Sequence, residues 1–372
     1  MLRCLKLKRS ISDINSSALQ IHRTSSYKPK PDLSQPFAFG TITTDHLLEI
    51  DWTMILGWDT PKIRPYGTFS LDPCASVLHF ATECFEGLKA YSAGDSINLF
   101  RPEMNMNRLN RSAVAVGLPT FDGEELLKCI KELVRLESEW IPKKKGYSVY
   151  IRPAMIGTHV HVSSSFPKSA KLFVVVLPAG PYFPEGFAPI NLYCDESVIR
   201  SWPGGSGSFK IGANYPTAIA HTYKVNQLGY HQMLWLTNGN ITEMGTMNFF
   251  CLWENEEGKL ELVTSPLDSN ILPGVTRDSI LQLAKEWGEF LVTERSISIK
   301  ELTKAIDAGK VIEIFGTGTA CIVVPVGKIF YHGKDYSIPL KLGNCGELTK
   351  RMEQYLLGIQ HGEIPHEWVH KI

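Results

Sequence analysis

The chain has 372 residues, too many for one compact hydrophobic core, so two domains are expected. Hydrophobic residues make up 44% and charged residues 20%, with 38 basic and 38 acidic side chains cancelling. That balance excludes an electrostatic case for a nucleic-acid or membrane-surface partner, and no apolar run approaches the length of a membrane span. Eight cysteines are scattered without a C-x-x-C pair, which supports neither a zinc site nor a disulfide framework and fits a reducing compartment.

The first thirty residues differ from the rest. Arg3, Lys6, Lys8 and Arg9 precede the first acid, Asp13, and serines stand at 10, 12, 16, 17, 25 and 26. Arg3, Lys6 and Arg9 recur every third residue, so a helix gathers them on one side with Leu2 and Leu5 beside them. An Arg- and Ser-rich, acid-poor N-terminus of this kind is the signature of a mitochondrial transit peptide, here with removal near Arg23 to Ser26. The other reading is a disordered basic tail on a cytoplasmic protein. Either way residues 1–30 stand outside the fold, and ordered structure is expected from near Phe37.

Along the folded part, 31–179 reads as a smaller α/β domain. Apolar residues at 126, 127, 130, 133, 134 and 136 predict a helix over 124–140, opened by Asp122 and closed by Pro142. Residues 147–155 and 171–177 read as strands, the second a nearly unbroken apolar run that is expected to be buried. Four prolines and two glycines over 178–189 suit a connection, placed at 180–190. The larger domain, 191–372, opens with a strand over 190–194, then a helix over 217–227 and strands at 233–237 and 247–252. Asn238-Gly239 between the runs is a hairpin turn. A helix opening at 273–277, another over 299–308 and a strand over 311–315 follow, with a further strand from Cys321.

Chemistry points first to Lys210. Pro203, Gly204, Gly205, Gly207 and Gly212 strip side-chain bulk from its surroundings, so the backbone can come close to a flat ligand. Flanked by Phe209 and Ile211, its amine loses solvation of the charged form, which favours nucleophilicity. A glycine-rich surface loop with a solvated lysine is the plain alternative. Two loops look like anion sites. Residues 273–276 stand at a helix start, and 316–319 follow a buried strand with backbone amides and two hydroxyls. Gly316-x-Gly318 lacks the third glycine and the helix of a dinucleotide fingerprint, so a nicotinamide site is not expected. A phosphate site together with an activated lysine suggests a phosphorylated aldehyde, of which pyridoxal phosphate is the common one. That cofactor also needs a partner for its pyridine nitrogen, and Glu243 is either that partner or an ordinary turn carboxylate. His159 and His161 alternate in an extended stretch without a third ligand, so no metal is expected.

Seven ordered motifs carry a resemblance. They are Phe85-Glu86-Gly87-Leu88-Lys89-Ala90-Tyr91, Phe100-Arg101-Pro102-x-x-Asn105-x-x-Arg108-Leu109, Tyr150-Ile151-Arg152-Pro153, Phe209-Lys210-x-Gly212-x-Asn214-Tyr215, Thr242-Glu243-x-Gly245-Thr246-Met247-Asn248, Leu272-Pro273-Gly274-Val275-Thr276-Arg277 and Gly316-x-Gly318-Thr319-Ala320. Together they resemble the branched-chain aminotransferases, a fold-type IV pyridoxal-phosphate family. The resemblance implies a D-amino acid aminotransferase-like α/β fold in two domains, with helices and sheets mixed, and a homodimer. It implies Lys210 as the lysine that carries pyridoxal phosphate, Tyr215 on the phenolic oxygen and Glu243 on the ring nitrogen. Arg108, Val275, Thr276 and Thr319 would hold the phosphate. Phe39, Phe85, Tyr150, Arg152, Tyr182, Thr246 and Ala320 would contact the substrate. The implied reaction is ping-pong transfer of the amino group of leucine, isoleucine or valine to 2-oxoglutarate, in the mitochondrion or alternatively the cytoplasm.

Three positions depart from the family. Phe80 stands where a tyrosine is usual, Cys321-Ile322-Val323-Val324 keeps one thiol of a C-x-x-C, and Ser164 lies in a loop usually more apolar. A D-amino acid aminotransferase or aminodeoxychorismate lyase would be shorter and lack several motifs. An inactive scaffold of this fold would bind no cofactor, and a nicotinamide-dependent dehydrogenase would bind nicotinamide instead.

Overall fold

A computed structural model describes residues 12–32, 39–180 and 187–372. Residues 1–11, the expected starting point Phe37 and the candidate Tyr182 lie outside these. The described chain is built on two sheets. In the first, the long strands His46–Thr53, Ser169–Ala179 and Ser148–Gly157 run antiparallel. Leu88–Ala93 and Ser96–Phe100 continue the sheet as a hairpin, and the last strand, Val369–Lys371, returns from the chain's end to pair with Ser96–Phe100. Gly123–Leu136 packs on this sheet through Leu126, Ile130, Leu133 and Val134, all buried, and Asp122 caps its first amides. The short strand Glu83–Phe85 lies beside Ser148–Gly157 and brings Phe85 to the rim facing the second sheet.

The second sheet contains the expected strand Ile190–Cys194, paired parallel to both Gln232–Thr237 and Ile322–Tyr331. Asn238 and Gly239 both have positive φ, 52° and 74°, as the hairpin to Asn240–Met244 requires. Asn240–Met244 also pairs with Met247–Glu254, which pairs with Val311–Gly318 and so leads back to Ile322–Tyr331. Six strands therefore close into a ring. Side chains alternate across it. Phe249, Cys251 and Trp253 point to one core, while Phe250, Leu252 and Phe315 meet the helices Val275–Trp287 and Glu347–Gln360 on the other face. Glu313, on that helix-covered face, accepts hydrogen bonds from the N–H groups of Leu348 (2.9 Å) and Thr349 (2.8 Å) and caps the second helix.

The N-terminal expectation needs correction. Residues 12–30 are not outside the fold, because they strap the first sheet. Ile14 is 3% exposed in its core, and Gln20–Ile21 pairs parallel to Lys62–Pro65. The Thr24 N–H donates to His46 Nε2 at 2.8 Å. That acceptor role leaves the ring proton on Nδ1, facing the carboxylate of buried Glu137. Removal near Arg23 to Ser26 would strip Ile14 and the edge strand from the sheet. Composition misled because exposed serines and basic residues dominate this strap, which is anchored by buried Ile14 and half-buried Leu19 while Ile21 and Tyr27 stay exposed.

Candidate active site

Lys210 stands where the two sheets meet. Its backbone N–H donates to the Ser112 hydroxyl (2.9 Å), and its carbonyl accepts from the Phe85 N–H (3.0 Å). Cys84 and Ile211 form a β-bridge beside it, so the lysine loop is stitched to the first sheet through the backbone. A Cβ at Gly212 would lie 1.7 Å from Glu83 Oε1, so a larger residue there would require the Glu83 side chain to move. The amine of Lys210 donates to the Tyr215 hydroxyl at 2.9 Å and lies 4.8 Å from the Phe85 ring centroid. Tyr215 opens the helix Tyr215–Asn226, with Pro216 in its first turn.

A cleft of about 280 Å³ surrounds the lysine. Phe39, Phe85, Arg108, Tyr150, Arg152, Lys210, Tyr215, Glu243, Thr246, Val275, Thr276, Thr319 and Ala320 all line it, so every candidate except Tyr182 is brought to one place. Phe80 does not line it. That residue ends the helix Ser76–Phe80 and is 42% exposed.

One wall comes from the helix Pro102–Ala115, whose Asn105, Arg108 and Ser112 share a face at i, i+3 and i+7. Arg108 pairs with fully buried Glu86, Nε to Oε1 at 2.5 Å and Nη2 to Oε2 at 2.9 Å, and donates to the Pro273 carbonyl at 2.9 Å. Burial alone would raise the Glu86 carboxyl, but the Arg108 charge and hydrogen bonds outweigh it and hold it below its usual range. Tyr150 and Arg152 come from one face of the strand Ser148–Gly157. Arg152 donates to the Tyr150 hydroxyl (3.1 Å) and lies over the Phe85 ring at 4.6 Å. Its Nε has no partner, and it forms no ion pair with an acid among the described residues.

The opposite wall holds Glu243, 3% exposed. Oε1 accepts from Asn248 Nδ2 (3.0 Å) and the Leu272 N–H (3.1 Å), and Oε2 pairs with Arg200 Nη2 at 2.5 Å. Burial pushes this carboxyl above its ordinary range, with Arg200 the largest opposing influence. Arg200 also donates to the carbonyls of Gly207 (3.2 Å) and Asn270 (2.7 Å), which ties Glu243 to the lysine loop. The helix Val275–Trp287 starts beside this wall. Its N-cap is Gly274, so no side chain caps its first amides.

Sequence reasoning gave no role to Glu86, Arg200, Asn248 or Lys89. Asn248 was within reach, because the turn at Gly245 pairs Glu243 directly with it. Arg200 carried no signal beyond the need of a buried acid for a cation. Lys89 is 5% exposed and donates to the Ala320 carbonyl at 2.7 Å. Burial brings its ammonium down to about 8, and the same cause lifts the neighbouring Cys321 thiol to about 12.

The Lys89 shift has a signed consequence. Between about pH 8 and an unfolded-state value of about 10.4, the unfolded chain binds a proton that the folded chain does not. Stability therefore rises with pH across that window and is lowest, from this group, below it. Melting curves should show the wild type gaining on Lys89→Met from pH 7 to 10, by on the order of 3 kcal/mol in total. A difference that stays constant with pH would contradict the buried-ammonium assignment.

The family model for amino-transferase class IV matches residues 83–329. The chain belongs to that family. It is 47% identical to the cytosolic branched-chain-amino-acid aminotransferase of Rattus norvegicus, over 92% of this chain and 84% of the rat one. With the mitochondrial enzyme of that name from Bos taurus it is 43% identical over 98% and 94%. The solved branched-chain amino acid aminotransferase of Escherichia coli superposes with a TM-score of 0.69 at 26% identity, over 82% of this chain and 95% of that one. Among class IV aminotransferases this chain groups with the branched-chain enzymes, and the family depends on pyridoxal phosphate. The cleft fits that cofactor on its own terms. It offers an amine, a buried carboxylate and a helix start whose cap position has no side chain. No helix among the described residues is long and apolar enough to cross a membrane.

Proposed function

We propose that this enzyme moves the amino group of leucine, isoleucine or valine to 2-oxoglutarate in two half-reactions at the same cleft. The observation that carries this reading is Arg152, a cation without an acidic partner among the described residues, set among the aromatic rings of Phe85 and Tyr150. The rings, with Phe39 edge-on to Tyr150 at 5.0 Å, form a wall for a branched alkyl chain. The guanidinium meets the additional carboxylate of 2-oxoglutarate, which is how one pocket takes both substrates.

Pyridoxal phosphate supplies the electron sink for the charge left when the Cα proton departs. Lys210 carries the cofactor and its freed amine moves that proton, with the Tyr215 hydroxyl orienting the amine. Glu243 faces the ring nitrogen and stabilises its positive charge, held for this by Arg200, Asn248 and the Leu272 amide. Arg108, Val275, Thr276 and Thr319 hold the phosphate, and Thr246, Ala320 and Tyr182 complete the substrate contacts.

Mixing the holoenzyme with L-leucine alone should convert the visible cofactor absorbance to that of the amine form. Adding 2-oxoglutarate should restore it. Activity on D-alanine with none on L-leucine would sink the reading. The working unit is a homodimer, supported by exposed Leu78, Phe80, Val160 and Phe166 on adjoining segments, and a monomer mass in solution would contradict it. Import into mitochondria rests on Arg3, Lys6, Lys8 and Arg9, with processing ahead of Ser12 so that the strap survives. A fusion of residues 1–30 to a reporter tests this, and a cytoplasmic signal supports the alternative compartment.

A further inference from the structure

The phosphate end of the cleft holds one polar group that the roles above leave unused. Thr317 is 1% exposed, and its hydroxyl has no hydrogen-bond partner among the described residues. A buried unpaired hydroxyl is costly, and valine would suit a strand position equally well. The hydroxyl therefore calls for a partner from outside the chain.

Register places it. Thr317 pairs with Asn248 on one side and Val323 on the other, and it alternates with Phe315 on the face covered by Val275–Trp287. Val275, the first residue of that helix, packs in the same cluster as Phe315 and Val323. Thr317 thus stands under a helix start that no side chain caps, and both line the cleft. Glu313, two positions before Phe315 on the same face, shows what this face does with a helix N-terminus, since its carboxylate caps Glu347–Gln360. At Thr317 the strand offers a hydroxyl instead, which leaves the amides of the other helix for an anion.

Arg108 strengthens the case. Its charge is already matched by Glu86, and one of its donors goes to the Pro273 carbonyl. Neutral donors must then carry more of the recognition of an anion here. We propose that the Thr317 hydroxyl donates to the phosphate of the cofactor, as a ligand in addition to Thr319 and the helix amides. The assignment rests on the cofactor reading given above.

Apo protein should be titrated with pyridoxal phosphate, with pyridoxal and with inorganic phosphate. Thr317→Val is expected to weaken pyridoxal phosphate about tenfold and inorganic phosphate in the same direction, with pyridoxal changed less than about twofold. The apo form of Thr317→Val should melt no lower than the wild type, because it loses an unsatisfied buried hydroxyl, and Thr317→Ser should retain near-wild-type affinity. Wild-type affinity in Thr317→Val, an equal loss for pyridoxal, or a lower apo melting point would each overturn the proposal. Failure of the wild-type apo protein to bind pyridoxal phosphate would instead remove the cofactor reading beneath it.

Discussion

Lys210→Ala is expected to lower turnover with L-leucine and 2-oxoglutarate by at least about 10⁴-fold while leaving the fold intact. The two parts of this result have separate causes. The side chain is only half-buried and contributes one hydrogen bond, to Tyr215, so its loss should cost no more than about 1 kcal/mol of stability. The loop is held instead by backbone bonds to Ser112 and Phe85, which alanine keeps. Catalysis has no such redundancy. The other cations lining the cleft, Arg108 and Arg152, are guanidiniums that do not release a proton at working pH, so neither can stand in. The variant should still bind cofactor non-covalently, and borohydride should no longer fix it to the chain. Turnover within tenfold of wild type would remove Lys210 from the centre of the mechanism.

Much of this arrangement was readable from residues whose environment imposes a period or a turn. The run over 171–177 is a strand as expected, but it is not buried on both faces: Leu172, Val174 and Val176 are buried while Lys171, Phe173 and Val175 on the other face are only half-buried. Asn238-Gly239 turns because both residues adopt positive φ. The helix Pro102–Ala115 was harder to see, because Asn105, Arg108 and Ser112 interrupt its apolar side where it faces the cleft. The residues that make it functional are the ones that blur its pattern. The strap over 12–30 failed for the opposite reason: composition dominated, and the few apolar residues that anchor it, such as Ile14, carry no period. Single motif residues were legible where spacing alone places them, as with Lys210 and Tyr215. Partners supplied by a distant irregular segment, such as Arg200 for Glu243, have no counterpart in local sequence.

Arg200→Met should be more damaging to the fold than Glu243→Gln, although Glu243 is the group proposed to face the cofactor. Removing the guanidinium leaves a carboxylate in a site where burial already raises its protonation range. Breaking a buried pair from one side costs about 3–5 kcal/mol. Two carbonyls, of Gly207 and Asn270, also lose their donor. Glutamine at 243, by contrast, leaves Arg200 bonded to both carbonyls and still accepts from Asn248 and Leu272, but its amide NH2 then faces Arg200 in place of an acceptor, so its stability loss should be smaller than that of Arg200→Met, about 2 kcal/mol. Turnover is expected to fall on the order of 100-fold in either variant, because both weaken the negative charge that the proposed function places opposite the ring nitrogen. In the double variant the losses should not add, since one interaction has been removed twice. The pH profile separates a positioning role from a structural one. Without Arg200 the Glu243 carboxyl takes up its proton at higher pH, so the acid limb of kcat/KM should move upward in Arg200→Met. It should be absent as a Glu243 titration in Glu243→Gln. A wild-type acid limb in Arg200→Met, or simple additivity in the double variant, would reduce Arg200 to a loop anchor. The expected shift follows from the chain's own geometry: one guanidinium joins Glu243, the Gly207 carbonyl of the lysine loop and the Asn270 carbonyl, so the charge and the position of the acid are set by the same side chain.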